Sequence, residues 1–143
     1  MARIKLELPE KFIFKTIMPV RVYDVNYVGH LSNDRVLSIC HDARVQFLKS
    51  LGYTELDTEG KGIIMNDAAI QYKTEGFTGD ELLVELNISD FTKVGCDFVY
   101  KISNNKTGEI IALAKTGIVF FDFKNKKLLT TPAKFKENVE SLV

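Results

Sequence analysis

The chain has 143 residues, 45% hydrophobic and 27% charged, with 19 acidic and 19 basic side chains and no net charge. That length fits one domain, 1–143, with a core large enough to stand without disulfides. The charge balance argues against a nucleic-acid partner, which selects a basic excess, and two cysteines and two histidines, scattered and without a CxxC, do not make a zinc site.

No apolar run approaches the roughly 20 residues of a membrane span, and the start, Met1 to Lys11, is charged throughout. The expectation is a cytoplasmic protein with no membrane partner. Cys40 and Cys96 are expected to be small buried thiols.

Residues 1–10 read as an arm. From Lys11 to Val22 the chain alternates at period two, which predicts a strand, at an edge or interrupted at Pro19. A loop from Tyr23 to Leu31 leads into a predicted helix from Ser32 to Leu51. Val36, Cys40, Ala43, Phe47 and Leu51 form one apolar stripe at helical spacing, with Ser38, Asp42, Val45 and Lys49 opposite. Gly52 follows as a helix stop. Further strands are predicted over Gly62–Lys73, Glu81–Phe91, Gly95–Ser103 and Glu109–Phe123, with turns at Gly79-Asp80 and Asn104–Gly108. The last strand is too long for an ordinary one, and Gly117 is expected to mark a bulge or bend in it. Lys124–Lys127 reads as a turn, and Pro132 opens a short final helix to Leu142. The fold class is α+β: an antiparallel five-stranded sheet wrapped around one long helix.

The stretch from Tyr23 to Asp34 concentrates the polar chemistry. It holds Asp24, Asn26, Gly29 and His30, then the helix-start signal Ser32-Asn33-Asp34. A helix start leaves backbone N–H groups unpaired and carries partial positive charge, a place for a carbonyl oxygen or an anion. Acid, amide and imidazole beside it suit acyl transfer.

The runs Pro19-Val20-Arg21-Val22-Tyr23-Asp24, Gly29-His30-Leu31-Ser32-Asn33, Ala43-Arg44 and Phe47 to Gly52, with the Gly79-Asp80 turn, resemble the 4-hydroxybenzoyl-CoA thioesterase-like branch of the hotdog-fold superfamily. The resemblance covers residues 17–123. It implies an acyl-CoA or acyl-carrier-protein thioesterase, a homodimer or homotetramer with the site between two subunits, and no metal or prosthetic group. In that branch the second acid of an Asp-x-Asp loop is the nucleophile or base; this chain has Asn26 there. Plant acyl-carrier-protein thioesterases, similar in this loop, use an Asn and a His; His30 matches the latter, while Val28 stands at the Asn position.

Each candidate has two readings. Asp24 is a general base for water or a cap for nearby N–H groups. Asn26 orients water or the thioester, or shapes a turn. His30 donates to the leaving thiolate or acts as base, or anchors the loop. Asn33 offers its backbone N–H as an oxyanion donor, its side chain as an N-cap. His41 is expected in packing or a subunit contact, and Asp67 is the best second-subunit carboxylate. Phe12, Phe14, Met65, Phe98 and Phe120 line an acyl tunnel or simply fill the core. The basic residues for CoA phosphates are not distinguished. The leading function is thioester hydrolysis. A non-catalytic acyl-thioester binder, favoured by Asn26, and a 3-hydroxyacyl dehydratase are the rivals.

Overall fold

Period-two alternation and one helical stripe build a sheet and a helix to cover it. In a computed structural model describing residues 3–143, the elements are β1 (Phe14–Pro19), α1 (Asn33–Ser50), β2 (Gly62–Tyr72), β3 (Glu81–Ser89), β4 (Gly95–Asn104), β5 (Ile110–Asp122), β6 (Lys127–Leu129) and α2 (Ala133–Glu140). The strands are antiparallel in the order β1-β3-β4-β5-β2, with β6 added on β5. This is the α+β hotdog arrangement, with six strands where the sequence suggests five. The extra strand is the short return of the Lys124–Lys127 hairpin, and its three residues are too few to show an alternation.

β1 is shorter than its alternating pattern. Ile13 still donates to the Leu86 carbonyl and Val20 to the Asp80 carbonyl. After Pro19, which has no N–H to give, the chain turns into a single 3-10 turn at Val22–Asp24.

α1 lays Val36, Cys40, Ala43 and Phe47 on the sheet, while Ser38, Asp42, Val45 and Lys49 are exposed. The Phe47 ring meets Phe14 and Phe98 edge-on, at 5.7 and 6.1 Å between centroids. Burying such a side chain contributes roughly 2–3 kcal/mol. Gly52 ends the helix at φ +83°, where a side chain would be strained, and its N–H returns to the Lys49 carbonyl at 2.9 Å.

The other sheet face carries Lys15, Glu85, Lys101, Leu113 and Gln71 in cross-strand register. The N-terminal arm runs over it; Met1 and Ala2 lie outside the described residues. Leu6 N–H donates to Gln71 Oε1 on β2 at 3.2 Å, and Asn87 Nδ2 on β3 donates to the Lys11 carbonyl at 2.8 Å. The arm therefore spans from β2 to β3. Leu113 is buried on this outer face, apart from the α1-facing core.

The expected bulge lies across the ladder from where the sequence suggests it. In the β2–β5 pair it is β2 that takes the extra residue, between Met65 and Asp67, and Asp67 lies opposite Gly117. Asp67 Oδ1 accepts the Gly117 N–H at 3.0 Å and Lys115 Nζ at 2.8 Å. A Cβ at residue 117 would stand 2.2 Å from that oxygen. Gly117 is glycine because a carboxylate rests on it. β2 is also an edge of the sheet, 11 residues long, with Met65, Asn66, Asp67 and Ala68 exposed.

Candidate active site

The Asp24-to-Asn33 segment folds on itself before α1 begins. Asp24 is buried, and its Oδ2 accepts the Arg21 backbone N–H at 3.0 Å and Arg21 Nε at 3.2 Å. Its carbonyl accepts the Ser32 N–H at 2.8 Å. One carboxyl oxygen and one carbonyl thus fix both ends of the loop, the capping reading of Asp24. Its side chain still borders a cleft of about 150 Å³ with Arg21, Tyr23, Arg35 and Asp42.

Asn26 is exposed and organises the turn. Its Oδ1 accepts the N–H groups of Val28 and His30 at 3.1 and 3.2 Å. Its own N–H donates to the His30 carbonyl at 2.8 Å. Gly29, at φ +82°, supplies the left-handed step this turn requires.

His30 leaves the turn beside a distant segment. It bridges to Phe77, and Leu31 N–H donates to the Gly76 carbonyl at 2.7 Å. The imidazole stands edge-on to Phe77, 4.9 Å between centroids, with Nδ1 3.1 Å from Glu75 Oε1. That contact leaves Nε2 available.

Three residues on, α1 starts. Ser32 holds the N-cap position, but its hydroxyl donates to the Asp34 carboxylate and caps no backbone N–H. Among the described residues nothing accepts the Asn33 N–H. Tyr72 Oη donates to the Asn33 carbonyl at 2.8 Å, tying the helix start to β2. The His30–Phe77 bridge, the Leu31–Gly76 bond and the Tyr72 bond thus tie the turn and the start of α1 to β2 and the segment that follows it.

The other candidates disperse. Phe98 and Phe120 are in the core and Phe14 packs on Phe47. Phe12 lies on the outer face under Lys101. Met65 borders one cleft, and Phe12 and Phe14 border another beside Lys15 and Glu85. The Cys40 thiol is pushed up to about 12 by burial, which makes it inert. Asp67 faces outward, bound by Lys115.

Sequence reasoning missed a network under α1. Arg44 is buried, with Nε donating to Glu55 Oε2 at 2.8 Å and Nη1 3.3 Å from both Tyr100 Oη and Thr116 Oγ1. Tyr100 and Thr116 close the ring at 2.8 Å. Glu55 Oε1 then meets His41 Nε2 at 2.7 Å. Burial pulls the Glu55 carboxyl up, but the bonds from Arg44 and His41 outweigh it and hold it below the usual carboxylate value. The available signal was Arg44 itself, a charge flanked by stripe residues Ala43 and Phe47.

Comparison with known proteins agrees with this architecture. The 1,4-dihydroxy-2-naphthoyl-CoA thioesterase of Synechocystis superposes with a TM-score of 0.82 at 22% identity, over 90% of this chain and 96% of that one. A Thermus thermophilus thioesterase, solved with coenzyme A and Zn, gives 0.80 at 21% identity, over 94% and 97%. A DHNA-CoA thioesterase of Staphylococcus aureus gives 0.77 at 18% identity, over 89% and 87%. A family model covers residues 20–139, nearly the whole folded chain, and by that match the protein belongs to the thioesterase-like superfamily.

Proposed function

We propose that this protein hydrolyses an acyl thioester, of coenzyme A or of an acyl-carrier protein, to the free acid and the thiol. The observation that carries the reading is the imidazole–carboxylate pair His30–Glu75, three residues before a helix whose first amide has no partner. The thioester carbonyl lies at the Asn33 N–H, which stabilises the oxyanion that forms on attack by water. His30 Nε2 donates a proton to the departing sulfur, with Glu75 fixing the ring. Asp24 and Asn26 hold the turn that brings these groups together. Named relatives that act on or bind CoA compounds support the CoA-type substrate.

The test is release of free thiol from a panel of acyl-CoAs. His30→Ala is expected to lower kcat by about 10²-fold or more, with Asp24→Ala acting mainly through loop stability. Full activity in His30→Ala would remove this site from consideration.

A second reading is a non-catalytic thioester binder. Asn26 favours it, since its amide oxygen is already taken by two backbone N–H groups and no carboxylate stands in its place. Calorimetric binding of acyl-CoA without turnover would select it.

A further inference from the structure

One buried cation is only partly matched by the protein around it. Arg44 is 5% exposed. Its Nε donates to Glu55 and its Nη1 reaches Tyr100 and Thr116, but among the described residues nothing accepts from Nη2. No enclosed side-chain nitrogen or oxygen among those residues lacks a partner. Nη2 is therefore open to solvent, through the cleft of about 220 Å³ that Arg44 lines with Asp34, Leu37, Ser38, His41 and Met65. A guanidinium drawn out of bulk water and left with two unfilled N–H groups carries a solvation cost that an accepting ligand removes.

The acids near the cleft are already engaged. Glu55 is bound through one oxygen to Arg44 and through the other to His41. The Asp34 carboxylate takes the Ser32 hydroxyl. His41 Nδ1 and the Ser38 hydroxyl have no partner among the described residues and border the same space. Arg44 and a protonated His41 together balance Glu55 and one further carboxylate. A carboxylate, with two acceptor oxygens in one plane, suits a guanidinium edge flanked by a second donor.

The cleft also lies on a path from the helix start. Asn33, Leu37, His41 and Arg44 follow one another at i, i+4, i+8 and i+11, a single stripe of α1. Tyr72 of β2 bonds to Asn33, and Met65 of the same strand borders the cleft with Arg44, so the stripe runs beside β2. The rise from Asn33 to Arg44 is roughly 16 Å, shortened because helical side chains lean back toward the N-terminus. An acyl chain whose carbonyl sits at the Asn33 amide can lie past Leu37 and end at Arg44.

We propose that the acyl group of the substrate ends in a carboxylate bound by Arg44 Nη2, with His41 and Ser38 beside it. The substrate is then the monothioester of a dicarboxylic acid. This rests on the thioesterase reading above. Arg44 and His41 set specificity and take no part in bond breaking. A methyl-ended chain fails there because it covers Nη2 without giving it an acceptor.

The test compares thiol release from glutaryl-, adipyl- and suberyl-CoA with release from methyl-ended acyl-CoAs of equal length and from the methyl esters of the same carboxyacyl groups. For the wild type, kcat/KM for the best carboxyl-ended substrate should exceed that of both controls by about 10- to 100-fold. Arg44→Met should abolish that ratio. Because Arg44 also holds buried partners, a second pair of variants is placed at Met65, an exposed position on the cleft wall. Met65→Lys should raise the ratio and Met65→Glu should lower it, each by several-fold. Equal or faster turnover of the methyl-ended or esterified substrates, or a ratio that the Met65 charges leave unmoved, overturns the carboxylate site and leaves the thioesterase reading in place. A wild-type protein that releases thiol from no acyl-CoA or acyl-carrier protein defeats the thioesterase reading itself.

Discussion

Asn26 and Glu55 illustrate how one side chain sets local structure here. Asn26 holds two backbone N–H groups on a single oxygen, so Asn26→Ala should cost about 1 kcal/mol at this exposed site, read as a lower thermal midpoint and faster exchange of the Val28 and His30 amides. Asn26→Asp should keep the midpoint, because a carboxylate accepts the same two bonds. Glu55→Gln acts deeper. It leaves the buried Arg44 guanidinium without its counter-charge, a loss of about 3 kcal/mol, the low end for a buried pair because Glu55 is partly exposed. The pH dependence has a defined sign. The folded carboxyl titrates below its ordinary value of 4.5, so its contribution is complete above that pH and declines as the pH falls through the depressed value. Thermal melts of wild type and Glu55→Gln should differ most near neutrality and converge in acid. A gap that is constant with pH would mean that the Glu55 charge contributes nothing. Asp24 and Asn26 were legible as loop residues, but which of their atoms are already occupied was not.

The strands and the helix followed their patterns closely. β3 and β4 alternate cleanly because one of their faces meets α1 and the other meets the arm or solvent. The α1 stripe at 36, 40, 43 and 47 was readable because helical spacing alone places those residues on one side. β5 is apolar on both parities, and its pattern gave no register. A bulge or bend was expected at Gly117 because a glycine interrupts that over-long run, whereas the extra residue is in β2 opposite it. Gly117→Ala tests this. The new methyl group meets Asp67 Oδ1, so the carboxylate must move and release the Gly117 N–H and Lys115. A loss of about 1–3 kcal/mol is expected, measured by urea unfolding. An unchanged midpoint would show that the β2 bulge can slide without cost.

Across the whole molecule, the sheet has two covered faces of unequal kind. α1 seals one with a continuous apolar core. The arm crosses the other, where Leu113 is buried, with a few hydrogen bonds. Removing residues 1–10 should therefore leave the fold intact, lower the melting midpoint, and expose apolar surface that promotes self-association. Sizing chromatography with light scattering of the truncated and full chains is the measurement; identical elution and melting would mean that the arm covers nothing of consequence. The free edge of β2 is the complementary feature, an 11-residue strand paired on one side only.

Local periodicity was enough to determine the α+β class, the single long helix and the polar loop before it, because alternation, stripe and turn residues are set by neighbours a few positions apart; the hotdog arrangement was legible only through the resemblance of the motifs to a known family. Tertiary structure alone decided which polar groups are free to react. Glu75 reaches His30 from the far side of α1 in sequence, Glu55 reaches His41 across 14 residues, and Arg44 finds Tyr100 and Thr116 on two central strands. Hydrogen bonds between distant segments satisfy some of these groups and leave others open, and no short-range pattern records that choice.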